Sequence, residues 1–109
     1  MIIDFENMEE NPVHEFKGGV GVTNLKKYEN ELGKIILGRL EPGATIGLHT
    51  HETNSEAIYI ISGDADFIYD DGTEHVSAGG CHYCPKGHSH SMINNSADDI
   101  VFFAVVPEQ

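Results

Sequence analysis

Apolar residues fall in short runs separated by turn residues at intervals of about ten, the pattern of an all-β sandwich or barrel. No stretch repeats them with a helical period. Gly18-Gly19 and Gly33 punctuate the first third, and Val20 to Tyr28 between them is expected to be a strand. Lys34 to Glu41 is another, stopped by Pro42-Gly43. Glu56 to Ser62 is strongly β-branched and aromatic, as strands are. Phe67-Ile68-Tyr69 runs into Asp70-Asp71-Gly72-Thr73, which predicts a tight hairpin with its positive φ at the Asp-Gly pair. Gly79-Gly80 and Pro85-Lys86-Gly87 bracket a further short strand, and the polar loop Asn94 to Asp99 precedes the last one. That last strand is apolar at every position from Ile100 to Val106. A strand with one wet face would alternate, so both faces are expected to be covered. One short chain has few layers to supply that cover. A homodimer is therefore expected, with residues 1–28 as an N-terminal arm or strand in its interface.

The 109 residues make one domain, and a chain of this length buries roughly 65% of its unfolded surface. Folding should need neither metal nor disulfide. Eighteen Asp and Glu against six Lys and Arg give a net charge of -12, which repels phosphate backbones and anionic lipid. Nucleic acid and membrane surfaces are expected to be poor partners, and no apolar run reaches the roughly 18 residues of a membrane span. The start, Met1-Ile2-Ile3-Asp4-Phe5-Glu6, lacks the basic and apolar regions of a signal peptide, so the expected location is cytoplasmic. Cys81 and Cys84 have C-x-x-C spacing. With no helix after them, and with residues three apart on a strand pointing oppositely, they are expected to be buried free thiols.

The chemistry lies in the histidines. His49-Thr50-His51 places two imidazoles on one side of a strand, where both can reach one point. Imidazole is a common ligand for first-row metals, although seven histidines in this chain make an H-x-H unremarkable by itself. Glu56 follows the turn residues Glu52-Thr53-Asn54-Ser55 and can return beside the pair from the next strand; taken singly, it is a solvated edge carboxylate. His90 follows the turn Pro85-Lys86-Gly87 and is a fourth candidate.

The spacing of the whole set is far more specific than any member. Gly43, five residues, His49-x-His51, four residues, Glu56, six residues, Gly63 resembles the first sequence motif of the cupin superfamily at every fixed position. Gly79, five residues, Pro85-x-Gly87, two residues, His90, three residues, Asn94 resembles the second. Gly80 stands where an Asp commonly follows the first glycine of that motif, which bears on a turn contact and not on the metal ligands. The short spacing from Asp64 to Ala78 is similar to that of small single-domain microbial cupins, the cupin 2 type of conserved barrel. The resemblance implies a double-stranded β-helix, or jelly-roll, barrel over one domain, residues 1–109. It also implies one divalent transition metal per chain, held by His49, His51, Glu56 and His90. Three neutral imidazoles and one carboxylate leave a divalent site with a net charge of about +1, suited to Fe, Mn, Ni, Co, Cu or Zn.

What such a site does is open between three readings. A metal-dependent enzyme acting on a small polar molecule is favoured by the complete ligand set, since cupins without catalysis often lack ligands. Dioxygenase, decarboxylase and sugar or carboxylate isomerase chemistry all occur on this fold. A non-catalytic binding or sensor cupin is the alternative, although sensors usually carry a fused output domain. A structural zinc site would be closed and tetrahedral. Beyond the ligands, Arg39 could clamp a substrate carboxylate if its face is the inner one; the rarity of buried arginine favours an outward, solvated side chain. Tyr59, His82 and Tyr83 are candidates to line the pocket. His88 is a candidate to assist the metal ligands or to exchange protons, although its place after a loop glycine favours water. His14 and His75 carry no signal.

Overall fold

A computed structural model describes all of residues 1–109. Ten strands and a single 3-10 turn make up the chain: β1 (Asn11–His14), the turn Phe16–Gly18, β2 (Val22–Asn30), β3 (Gly33–Leu40), β4 (Thr45–Thr50), β5 (Glu56–Ser62), β6 (Asp64–Tyr69), β7 (Gly72–Ser77), β8 (Cys81–Cys84), β9 (Ser89–Ile93) and β10 (Ile100–Pro107). They form two antiparallel sheets, one ordered β1-β2-β3-β10-β5-β8 and the other β4-β9-β6-β7. The core between them is built by alternation. In β3, Ile36 and Leu40 are buried while Ile35, Leu37 and Arg39 face outward, and the inward residues meet Phe67 and Met92 from the opposing sheet. No helix is long and apolar enough to cross a membrane.

Within one chain, the last strand has one face fully covered. Ile100, Phe102, Ala104 and Val106 are buried, but Val101, Phe103 and Val105 on the other side are only partly covered. The cover that exists comes from the chain's own start, where Phe5 meets Phe103 edge-on at 6.4 Å between ring centroids. The strand is central in its sheet, between β3 and β5, so apolar residues on its outer side rest among apolar neighbours. The hairpin departs from its sequence reading. Its two-residue connection is Asp70-Asp71, one position earlier than the Asp-Gly pair, and Asp70 takes the positive φ of 52°. Asp70 is held there because its carboxylate accepts hydrogen bonds from the Ser89 amide (3.1 Å) and from His88 Nδ1 (2.7 Å).

One irregularity decides which side chains enter the barrel. In β4, Ile46 pairs with Met92 and His49 pairs with His90, so three steps on β4 match two on β9. This β-bulge at Gly47-Leu48 reverses the strand's alternation. Ile46 points in and Leu48 is 60% exposed, after which His49 and His51 both face the cavity. Without the extra residue, the parity that buries Ile46 would have turned both histidines outward.

A candidate metal centre

His49 on β4, His51 just beyond it, Glu56 at the head of β5 and His90 on β9 converge, with their ligand atoms all within 4.8 Å of one another. The local chain is tied to bring this about. The His51 amide donates to the His88 carbonyl (3.0 Å) and the Gly87 amide to the His51 carbonyl (2.7 Å), lashing the loop before His90 to the end of β4. Gly87 takes a φ of 89° in that loop, a value that favours glycine. Asn94 and Gly43, the ends of the two motifs, are joined by the Gly43 amide donating to the Asn94 carbonyl (2.9 Å).

Each ring is oriented by what its outer nitrogen meets. His49 Nδ1–H donates to the Gly47 carbonyl (2.7 Å), and His51 Nδ1–H donates to Asn54 Oδ1 (2.5 Å). The Asn54 amide is itself fixed, because its Nδ2 donates to Glu108 Oε1 (3.3 Å). His90 Nδ1 lies 3.0 Å from Nε2 of His82. The three Nε2 atoms therefore face inward. His51 Nε2 and His90 Nε2 are 2.9 Å apart, and they lie 3.2 and 3.1 Å from Glu56 Oε1.

That inner spacing tests whether an ion fits. With their protons on Nδ1, the two Nε2 atoms present lone pairs to each other and to a carboxylate, an arrangement that repels unless a cation is shared. Metal–nitrogen distances are about 2.0–2.1 Å, so two ligands at right angles about one ion lie about 3 Å apart. The residues fit a divalent ion. When an imidazole is protonated, its Nε2–H donates to Glu56 instead; burial alone would raise the Glu56 carboxyl, but such hydrogen bonds from His51 and His90 outweigh it and hold the group down at about 2. The Glu56 hydrogen bond pushes His51 above the ordinary imidazole value, whereas burial pushes His49 below it.

The cluster lines a cavity of about 240 Å³, below the roughly 300–1,000 Å³ of pockets for drug-sized molecules. Its apolar wall includes Ile58, Met92 and Phe102. Two of the chain's six cations, Lys17 and Lys34, line the same cavity, and the charge of Lys17 acts against protonation of His51. Lys17 is placed by close packing. The 3-10 turn lies so near β4 that a Cβ on Gly47 would collide with the Lys17 carbonyl oxygen. No signal in the sequence marked Lys17, because its approach depends on two backbones meeting at a glycine in a bulge.

The other candidates divide. His82 is buried, stacked on Phe67 at 3.9 Å between ring centroids, and its Nδ1 lies 2.8 Å from Glu74 Oε1. Burial pushes this imidazole down, against the opposing pull of Glu74. Arg39 is on the outer face and holds Glu10 (2.7 and 3.1 Å) and Asp99 (3.1 Å), so it clamps the N-terminal segment and does not line the cavity of the cluster. Tyr59 and Tyr83 also stand on the outer face, 45% and 53% exposed. His88 faces solvent, bonded to Asp70 and stacked against Tyr69. Cys84 is buried, with burial pushing its thiol up to about 11, but Cys81 is exposed, which corrects the expectation of two buried thiols. Alternation along β8 turns the two outward and inward respectively.

Comparison with known proteins agrees with this geometry. Residues 36–106 match the family model described as Cupin domain. The oxalate-binding protein of Thermotoga maritima is 34% identical over 94 residues, which are 83% of this chain and 77% of that protein. Among solved structures, a predicted oxalate decarboxylase from Thermotoga maritima superposes with a TM-score of 0.93 over 100% of both chains at 24% identity. KdgF from Halomonas sp. does so with a TM-score of 0.77 at 15% identity, over 95% of this chain and 90% of that one. At those identities the two structures speak for the fold alone. With its family model matched over most of its length and its barrel and motif residues in place, this chain belongs to the cupin domain family.

Proposed function

We propose that this cupin is a metal-dependent enzyme acting on a small carboxylate inside the barrel. The observation that carries the reading is the pairing, in one cavity, of a cluster able to hold a metal with Lys17 and Lys34. In a chain of net charge -12, the two lysines of the cavity balance its two carboxylates, Glu52 and Glu56, so that a bound divalent ion would leave the cavity positive and favour an anionic guest. The name of the oxalate-binding relative is consistent with such a guest. His49, His51, Glu56 and His90 would hold one divalent ion, which when bound supplies a Lewis acid for a substrate oxygen. Lys17 and Lys34 draw in and orient the carboxylate, while Ile58, Met92 and Phe102 exclude water from the site's apolar side.

The test is calorimetric titration of metal-loaded protein with oxalate, with a second small dicarboxylate and with a neutral diol, metal content being checked afterwards because oxalate also chelates. Saturable carboxylate binding, weakened roughly ten- to a hundredfold in Lys17→Gln, is expected, since a charge-assisted hydrogen bond is worth roughly 1.5–3 kcal/mol. Failure to bind any carboxylate, or equal binding of the diol, would overturn the reading. Consumption of the bound carboxylate separates an enzyme from the alternative, a binding cupin that holds the same ligand unchanged.

The homodimer belongs to the same proposal. A row of apolar side chains crosses the outer face of the larger sheet through the paired residues Tyr28, Ile35, Val105, Ala57 and Tyr83. A continuous apolar face of this kind is characteristic of an interaction surface.

A further inference from the structure

The three imidazoles of the cluster differ in what lies behind them. Behind His49 is a peptide carbonyl and behind His51 the Asn54 amide, both neutral acceptors, although Asn54 in turn donates to Glu108. Behind His90 is another imidazole, and behind that a carboxylate: His90 Nδ1 to His82 Nε2 is 3.0 Å, and His82 Nδ1 to Glu74 Oε1 is 2.8 Å. The three residues come from consecutive strands, β7, β8 and β9, and the chain of contacts crosses from the smaller sheet to the larger and back. Glu74 gets there because it pairs with the inward-facing Phe67 at the sheet edge, on the same side as the His82 ring that Phe67 stacks against.

The direction of the protons follows from chemistry. An ion on His90 Nε2 leaves the neutral ring's proton on Nδ1, which must then donate to His82 Nε2. His82, accepting on Nε2, carries its own proton on Nδ1 and donates it to the Glu74 carboxylate. The reverse order would turn a lone pair of His82 toward that carboxylate and leave His90 with no proton on either nitrogen. We propose that Glu74 and His82 are positioning residues for the metal, fixing the Nδ1–H form of His90 and passing the carboxylate's negative charge to that one ligand. Hydrogen-bonded partners of this kind orient metal-bound histidines and raise their basicity. Glu74, with its side chain 44% exposed, makes the centre sensitive to a surface charge on the edge strand, while His82 is sealed at 0%. The inference rests on the metal reading above and adds two residues to it.

Cobalt(II) titration followed by visible absorption tests it without any substrate. Glu74→Gln keeps an acceptor for His82 and removes only the charge; Asp71→Asn, on the same hairpin, controls for the loss of one surface charge. His82→Phe keeps the stack on Phe67 and removes both hydrogen bonds. The expected results are cobalt affinity lower by about threefold or more in Glu74→Gln and by roughly ten- to a hundredfold in His82→Phe. Both should show altered d–d bands, with Asp71→Asn matching the parent. In the zinc-loaded parent, nitrogen NMR should show His82 protonated at Nδ1 and unprotonated at Nε2. Affinity and spectrum unchanged in Glu74→Gln, an equal loss in Asp71→Asn, or the opposite His82 tautomer would each overturn the proposal with the metal site intact. A parent that binds no cobalt would instead defeat the metal reading, and this inference with it. Glu74 is at the surface, so its variant decides the matter even where His82→Phe folds poorly.

Discussion

An imidazole offers Nε2 to an ion only while its Nδ1 proton has an acceptor, and at this site the acceptors are as specific as the ligands. Asn54 is one of them, with its amide oriented by Glu108. Asn54→Ala should leave the His51 Nδ1–H without its partner and lower metal affinity by roughly tenfold, while far-UV circular dichroism stays that of the parent. Metal titration checks it, with His14→Ala expected to match the parent. The four candidate ligands were legible in the sequence because each sits at a fixed spacing within a motif. Their partners were not. Asn54 reads as a turn residue, and Glu74 as one of eighteen acids. His82 was within reach as a candidate, but its link to Glu74 joins an edge strand of one sheet to an edge strand of the other, which no local pattern encodes. Arg39 shows the converse: its outward placement followed from how seldom arginine is buried, whereas its grip on Glu10 and Asp99 depends on where the N-terminal segment comes to rest.

At the scale of elements, β4 carries the result that sequence periodicity could not. Simple alternation puts His49 and His51 on one side but, counted from Ile46, on the wrong one; the bulge at Gly47 corrects this and at the same time admits the Lys17 backbone. Gly47→Ala should therefore push the Phe16–Gly18 turn away from β4. Overpacking of this kind costs roughly 1–3 kcal/mol in stability. It should weaken carboxylate binding through Lys17 while metal content is retained, and thermal unfolding together with oxalate titration measures both. The N-terminal segment responds to pH through a different contact. The hydrogen bond from Arg39 holds Glu10 below the ordinary carboxylate value against the pull of burial. The folded form thus binds fewer protons there. Its contribution is complete above the unfolded value of about 4.3 and is lost as pH falls through the lower folded one. Acidification through that range should expose residues 1–10 to proteolysis before the barrel opens. Arg39→Ala should do so already at pH 7, at a cost of about 1 kcal/mol or less, as for exposed ion pairs.

For the whole molecule, the all-β class and the order of the motifs were readable because turn residues interrupt the apolar runs so regularly. The cover over β10 was not, since an unbroken apolar run is equally compatible with a second subunit and with a central strand partly capped by its own N-terminal segment. Phe5 supplies part of that cap, and the row from Tyr28 to Tyr83 is the surface that the proposed dimer would cover. Sedimentation at micromolar concentration should give twice the 11.9 kDa of one chain; a particle of one chain's mass would remove the dimer. The central claim is that three imidazoles and one carboxylate hold a single divalent ion in a barrel that folds without it. Protons compete with the ion for each imidazole, whose ordinary value is about 6.5. The most direct measurement is metal per chain by elemental analysis, in the parent and in His51→Ala and His90→Ala, from pH 8 to pH 4 alongside far-UV circular dichroism. The account predicts about one ion per parent chain at pH 8, a steep loss below about pH 6 with the β-sheet signal unchanged, and little metal in either variant at any pH. Occupancy that stays flat from pH 6 to 5, or variants that carry as much metal as the parent, would contradict it.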